Sequence, residues 1–268
     1  MARHASLGTA LITGASSGIG AVYADRLARR GYDLILVARD GERLAKLADS
    51  LTRDAGVSVN ILRADLTAKS DLAAVEARLR TDNKIVLLIN NAGVAAHGDF
   101  TDLDVERHDA MVQLNVVAVT RLAAAAGANF AARRAGAIVN LASVLALMPD
   151  RSGPVYAGSK AYVLAFTESL AAELKPKGVR LQVVLPGATR TEIFDRAGAS
   201  VDAIAPEYLM EVDAMVDAAL VGFDRGELVT IPSLPDLADW EAFTAARMQL
   251  APNLSRNRPA DRYLSVDT

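Results

Sequence analysis

Residues 7–20 read LGTALITGASSGIG: an apolar run enters glycines at 14, 18 and 20, and a helical pattern follows over 21–30. Apolar strand, glycine-rich turn and helix, in that order, make the first half of a βαβ unit. Glycines in such a turn adopt backbone angles closed to other residues. They also let main-chain N–H groups approach an anion at a helix N-terminus. The spacing is G-x-x-x-G-x-G, not the commoner dinucleotide fingerprint G-x-G-x-x-G, and no Gly-Lys-Ser/Thr follows, which excludes a P-loop. Alone the turn is a weak signal; between a strand and a helix it reads as a nucleotide site.

The same alternation continues outward. Short β-like runs at 10–13, 34–38, 58–62, 86–89, 137–141, 180–185 and 228–231 are separated by amphipathic or alanine-rich segments of helical length. This pattern predicts a parallel sheet sandwiched between helices. The 268 residues fit one large α/β domain or two small ones, with a core large enough to need no staple, and the absence of cysteine rules out disulfides and zinc-thiolate sites. No apolar segment with a cleavage site precedes the first strand, so a cytoplasmic protein is expected. The stretch 116–132 is interrupted by Arg121 and dominated by alanine. It reads as too short and too polar for a membrane span, and as a buried interface helix. A net charge of −3 without a basic cluster argues against nucleic acid as a partner. His4, His97 and His108 are scattered and have no metal-ligand spacing, so no metal is expected; His97 reads as surface loop.

A second constellation lies in the other half of the chain. Tyr156 and Lys160 are four residues apart, on one face of a helix, and Ser143 precedes the tyrosine by thirteen residues. A nearby ammonium favours phenolate, so Lys160 is expected to depress the tyrosine pKa from its usual value near ~10. Ser143 would hold a substrate oxygen beside the phenol. The three groups together suit proton exchange with a carbonyl or an alcohol. Each residue type is common, so this set gains weight only beside the glycine run.

The glycine run, Asn90-Asn91-Ala92-Gly93, Asn115, Ser143 and the Tyr156/Lys160 pair stand in an order that closely resembles the short-chain dehydrogenase/reductase family over roughly residues 7–231. The resemblance implies a Rossmann-type doubly wound sheet of seven parallel strands in the order 3-2-1-4-5-6-7, in a single domain over 1–231. It also implies a catalytic tetrad of Asn115, Ser143, Tyr156 and Lys160. By the same resemblance, Gly14, Ser17, Gly18, Ile19 and Gly20 take the cofactor's pyrophosphate side, Ser16 adds a hydroxyl toward a 2′-phosphate, Asp65 and Leu66 take its adenine, and Asn91, Ala92 and Gly93 its adenosine-side ribose and the floor beneath it. Pro186, Gly187, Thr189 and Thr191 take the nicotinamide carboxamide, and Lys160 the nicotinamide ribose. Asn115 would hold a water that links Lys160 to solvent; the alternative is that it bridges a helix irregularity.

The acid that selects NAD falls, in this family, on Ala38, which cannot serve. Arg39 next to it can fork onto a 2′-phosphate, so NADP(H) is the expected cofactor. The rival reading gives the ribose to Asp40 and leaves NAD(H) possible. Val94, Val144, Leu145, Met148, Ile193 and Phe194 are the expected pocket walls. Their apolar character favours a hydrophobic ketone or aldehyde and the matching alcohol, and the expected phosphorylated cofactor makes reduction the preferred direction. Arg190, Asp195 and Arg196 weaken that inference if one of them faces the pocket. Beyond an NAD-dependent alcohol dehydrogenase, the rivals are an NADPH-binding sensor without turnover and a methyltransferase, which would leave Ser143, Tyr156 and Lys160 idle. Family members commonly pair through the helices here at 105–133 and 155–177. The run 123–128 with Ala157, Ala161, Ala165, Ala171 and Ala172 suggests at least a homodimer, with a homotetramer open. Residues 232–268 hold four of the nine prolines and the single tryptophan. They read as a C-terminal extension, helical over 235–250 with Leu237, Trp240, Phe243 and Met248 mostly on one face, packed on the same domain.

Overall fold

The computed structural model describes residues 6–264; His4 and the two outermost ends of the chain lie outside the described residues. The chain divides into two compact units, Met1–Pro232 and Ser233–Thr268. The first is a seven-stranded sheet ordered β3-β2-β1-β4-β5-β6-β7, every neighbouring pair parallel. The strands are β1 (Thr9–Thr13), β2 (Asp33–Ala38), β3 (Val59–Arg63), β4 (Ile85–Asn90), β5 (Ala137–Leu141), β6 (Arg180–Val184) and β7 (Val229–Thr230). Each lies within a residue or two of its expected position.

Both faces of the sheet are covered, so alternate residues of one strand enter different cores. Ala10, Ile12, Leu34 and Leu36 face helices α1 (Gly18–Arg29), α2 (Gly41–Ala55) and α8 (Val212–Arg225), meeting Leu27, Leu44 and Leu220. Leu11, Ile35 and Val37 face the other way, toward α3 (Lys69–Thr81), α5 (Val119–Arg133) and α6 (Pro154–Leu174), meeting Val75, Phe130 and Leu174. Each fully buried leucine or phenylalanine contributes about 1.5–3 kcal/mol. The strand order reverses between β1 and β4. The chain therefore winds outward in both directions, leaving a crevice at the carboxyl ends of those two strands.

The helical run after β4 keeps its expected bounds but is more apolar than the reading of 116–132 implied. It extends over Val105–Arg133, 29 residues, and an 18-residue window of it reaches a mean hydropathy of 1.4, long and apolar enough by length and composition to cross a membrane. Half of that window is buried inside the protein, where Leu122, Ala126 and Phe130 enter the second core. The run is α4 (Val105–Val112), a π-helical turn over Gln113–Ala118, then α5. A buried polar ladder crosses the sheet nearby. Asn90 Nδ2 donates to Asn140 Oδ1 at 2.9 Å, and Asn140 Nδ2 donates to Thr167 Oγ1 on α6 at 2.9 Å.

In the second unit, α9 (Leu237–Gln249) buries none of its side chains; Leu237, Phe243 and Met248 are exposed, and the Trp240 and Phe243 rings lie 5.3 Å apart.

The glycine turn tolerates no side chain at Gly20, its last glycine. A Cβ at Gly20 would lie 2.3 Å from the Gly14 carbonyl oxygen and 2.6 Å from Asn91 Nδ2. We expect Gly20→Ala to cost about 1–3 kcal/mol, as overpacking does, and to lower Tm by several degrees. Urea unfolding checks this; an unchanged midpoint would mean that the turn shifts at no cost.

Candidate active site

One cleft of about 1420 Å³ opens at the carboxyl ends of the strands. Its walls bring together Gly14, Ser16, Ser17, Gly18 and Ile19 from the glycine turn; Arg39, Asp65 and Leu66 from the ends of β2 and β3; and Asn91, Ala92, Gly93 and Val94 after β4. Opposite stand Ser143, Val144 and Leu145 after β5, Tyr156 and Lys160 of α6, and Pro186, Gly187, Thr189, Thr191, Ile193 and Phe194 after β6. Gly20 lies beneath the turn and Asn115 beneath Gly93, in supporting positions.

Met148 departs from expectation. It falls between two 3₁₀ turns, Val144–Ala146 and Pro149–Arg151, which carry its side chain out to 45% exposure and off the cleft wall. His97, expected on a surface loop, is exposed but lines the cleft, and its N–H donates to Ala197 O at 3.0 Å. Arg190 pairs with Glu211 at 2.9 Å, away from the cleft. Phe100, Ala96 and Ile204 extend the apolar wall beyond the residues anticipated.

The glycine turn is pinned by a residue that the motif reading passed over. Thr13 Oγ1 accepts hydrogen bonds from the N–H groups of Asn91 and Ala92, each at 3.0 Å. Asn91 Nδ2 returns bonds to Thr13 O at 2.9 Å and Gly14 O at 3.2 Å. The Asn91 side chain, expected along a ribose, is thus committed to the turn. The available signal was its neighbour, a buried threonine just before the first glycine. Beyond the turn, Ser17 caps α1 without a side-chain bond, and the first turn of that helix carries no acidic residue. Its N–H groups are left for an anion, the arrangement that holds a pyrophosphate. Thr191 closes over Gly18, where an added Cβ would sit 3.2 Å from its methyl group. The cradle therefore fits a dinucleotide.

At the end of β2 the two candidates for the ribose behave differently. Asp40 caps α2, its Oδ1 accepting from Arg43 N at 3.0 Å. The Arg39 guanidinium makes no hydrogen bond or ion pair among the described residues. Asp65 is raised by burial, but hydrogen bonds from Thr67 and the charge of Arg39 outweigh that and hold its carboxyl below the usual range.

Asn115 is fully buried in the π turn. Its Oδ1 accepts from Val94 N at 2.9 Å, and its Nδ2 donates to Val94 O at 2.9 Å and to Ser159 Oγ at 3.2 Å. The amide thus fastens the strand-four loop to the helix irregularity, and π turns recur where a helix is bent for function. Lys160 is buried; its Nζ donates to Leu141 O at 2.9 Å and lies 5.7 Å from the centre of the Tyr156 ring. Burial pushes this lysine down to about 8. Burial also raises the Tyr156 phenol, and the Ser143 hydroxyl beside it pulls the other way. The expected depression of the phenol by Lys160 is therefore not found in the protein alone, because desolvation disfavours phenolate more than its neighbours stabilise it.

The sequence profile for short chain dehydrogenases matches residues 8–202. A short-chain dehydrogenase from Sphingobium yanoikuyae, solved in complex with NADPH, is 53% identical over 96% of this chain and 100% of its own, with a TM-score of 0.93. A bulky-bulky ketone specific alcohol dehydrogenase from Comamonas testosteroni is 45% identical over 97% of this chain and 100% of its own, with a TM-score of 0.90. The oxidoreductase UcpA of Salmonella typhimurium is 35% identical over 204 residues, 75% of this chain and 77% of its own.

The lysine shift has a thermodynamic signature. Its folded pKa of about 8 lies below its ordinary 10.5, so between those values the unfolded chain binds a proton that the folded one does not. Stability should therefore rise with pH across that window, with a slope of up to about 1.4 kcal/mol per pH unit. The raised Tyr156 acts oppositely, but only above its ordinary value of 10.0. Urea unfolding at pH 8, 9 and 10 should show the slope in the wild type and not in Lys160→Met; equal slopes would remove the assignment.

Proposed function

The chain belongs to the short-chain dehydrogenase family of oxidoreductases, and from that premise we propose that it is an NADP(H)-dependent reductase of bulky apolar ketones, working back to the alcohol when conditions reverse. The observation that carries this reading is the single cleft in which Tyr156, Ser143 and Lys160 face the glycine turn and Arg39. The dinucleotide, when bound, supplies or accepts the hydride. The N–H groups at the start of α1 would hold its pyrophosphate, Arg39 its 2′-phosphate, Lys160 the nicotinamide ribose, and the backbone around Gly187 with Thr191 the carboxamide. The helix-capping role of Asp40 and the unpaired guanidinium of Arg39 favour the phosphorylated cofactor.

Tyr156 would give its proton to the carbonyl oxygen, and Ser143 would orient that oxygen by a hydrogen bond. A phenol kept protonated by burial is the form a reduction needs at its start. Lys160, at about 8, is mostly cationic at neutral pH and can stabilise the phenolate left behind. Since the Asn115 side chain is spent on Val94 and Ser159, a proton-relay water would rest on the backbone of the π turn. Leu145, Ile193, Phe194 and Phe100 give the substrate end apolar walls on two sides, suited to a ketone with a bulky group on each side. The Comamonas protein's ketone preference supports the same substrate class.

The test is kcat/KM for a panel of ketones with NADPH and with NADH. We expect preference for NADPH and for ketones bulky on both sides. Tyr156→Phe should lower kcat by about 10²–10⁴-fold with the NADPH Kd nearly unchanged. Retention of more than a tenth of kcat would defeat the tyrosine's role, and NADPH binding with no turnover on any ketone would favour a sensor.

We also propose a homodimer formed through α5 and α6. Most of the alanine run is spent inside the chain, with Ala123, Ala125 and Ala126 buried, which weakens the small-residue part of the expectation. What remains open is a face carrying Arg121, Ala124, Ala128, Tyr162 and Ala165, braced by the 2.8 Å bond between Thr120 and Tyr162. Light scattering should give at least twice the 28.3 kDa chain mass, and a monomer would rule the interface out.

A further inference from the structure

An ion triad crosses the cleft mouth. Glu192, which follows Thr191 and precedes α7 (Ile193–Ala197), extends its carboxylate to α2, where Arg43 Nη1 donates to both oxygens at 2.9 and 2.8 Å. Arg196 Nη2 donates to the same carboxylate and also to Ser17 Oγ in the glycine turn, at 3.2 Å. Arg43, Glu192, Arg196 and Ser17 all line the cleft. One carboxylate thus occupies two guanidiniums, one on the Arg39 side and one at the pyrophosphate end. The hydrogen bond from Arg43 is the main reason that the Glu192 carboxyl is held below its ordinary range.

The rest of the cleft is prepared for anions, with an uncapped helix N-terminus and Arg39. A carboxylate lying across it repels incoming phosphate and satisfies the cations that phosphate would use. Arg–phosphate contacts are bidentate and stronger than half-exposed carboxylate pairs, which are typically worth about 0.2–1 kcal/mol each.

We propose that Glu192 is an internal stand-in for cofactor phosphate. In the cofactor-free protein it closes the cleft mouth on Arg43 and Arg196; on binding, the phosphates take over both arginines and release it. Arg43 is thereby a second residue that selects the 2′-phosphate, beside Arg39. Displacement of Glu192 also loosens the segment bearing Ile193 and Phe194, so cofactor arrival prepares the substrate wall. This inference rests on the NADP(H) reading above.

The test is calorimetric titration with NADPH, NADH and adenosine 2′,5′-bisphosphate. Glu192→Gln should tighten NADPH and the bisphosphate by about 2- to 10-fold, and NADH by less, with the gain shrinking in high salt. Arg43→Gln should weaken NADPH and the bisphosphate while leaving NADH unchanged or tighter, and it decides the matter if Glu192→Gln fails to fold. Hydrogen exchange in residues 190–204 should rise in either variant without cofactor. If the wild type binds NADPH well but Glu192→Gln binds it no more tightly, or if Arg43→Gln leaves the NADPH-to-NADH ratio unmoved, the stand-in role is overturned and the NADP(H) reading stands. A wild type that binds NADH but neither phosphorylated probe overturns both.

Discussion

The site depends on how the ends of β1 and β4 are joined. These two strands lie where the sheet reverses its winding, and nothing in the ladder itself fixes the loops that leave them. Thr13 and Asn91 do so, by hydrogen bonds in both directions across the crevice. They hold the glycine turn open toward the cleft on one side and the Ala92–Gly93 floor on the other. Asn115 then fastens the next residue, Val94, to the π turn, and Ser159 ties that amide to α6. The helix that carries Tyr156 and Lys160 is thereby connected to the glycine turn through a set of polar contacts, most of them half-buried.

Burial governs the chemistry of that helix as much as charge does. Lys160 and Tyr156 both lose water, and desolvation favours the neutral form of each. The pair is therefore not a preformed ammonium–phenolate couple. It is a protonated phenol beside a lysine that titrates slightly above neutrality, which can give or regain a proton as charge develops on a substrate oxygen. The energetic cost of removing these groups from water is met by the core packing of α6 around them, where Ala157, Val163 and Leu164 are buried.

Much of the fold was legible because both signals it rests on are local. Apolar runs of strand length, each followed by a helical period, give strand positions to within a residue or two, and the spacing of the glycines gives the turn. The cleft-lining positions were legible from their order along the chain. What remained hidden depends on tertiary surroundings. The Tyr156 shift follows from burial, which a four-residue spacing does not reveal. The Glu192–Arg43 contact joins positions 149 apart, and no pattern in either segment announces it. Met148 looked like pocket wall because it follows Ser143 in an apolar stretch, yet two successive tight turns rotate it outward. The bounds of the strand-four helix were legible, but reading the run 116–132 as too polar for a membrane span took one half of the helix for the whole.

The polar ladder from Asn90 through Asn140 to Thr167 bears on how this protein can change over evolutionary time. Thr167 lies seven residues beyond Lys160, two helical turns along the same face, so the ladder fixes the rotational phase of α6 as well as its distance from the sheet. A residue inserted between Lys160 and Thr167 would turn the part of the helix ahead of it by about 100° relative to the part held by the ladder. Tyr156 and Lys160 would then swing off the cleft while the helix itself survived. Length variation among descendants of this chain should therefore collect in the segment after β6 and in the loops beyond the strands' carboxyl ends, where it can reshape the substrate wall. The stretch from Tyr156 to Thr167 should keep its length through any such drift.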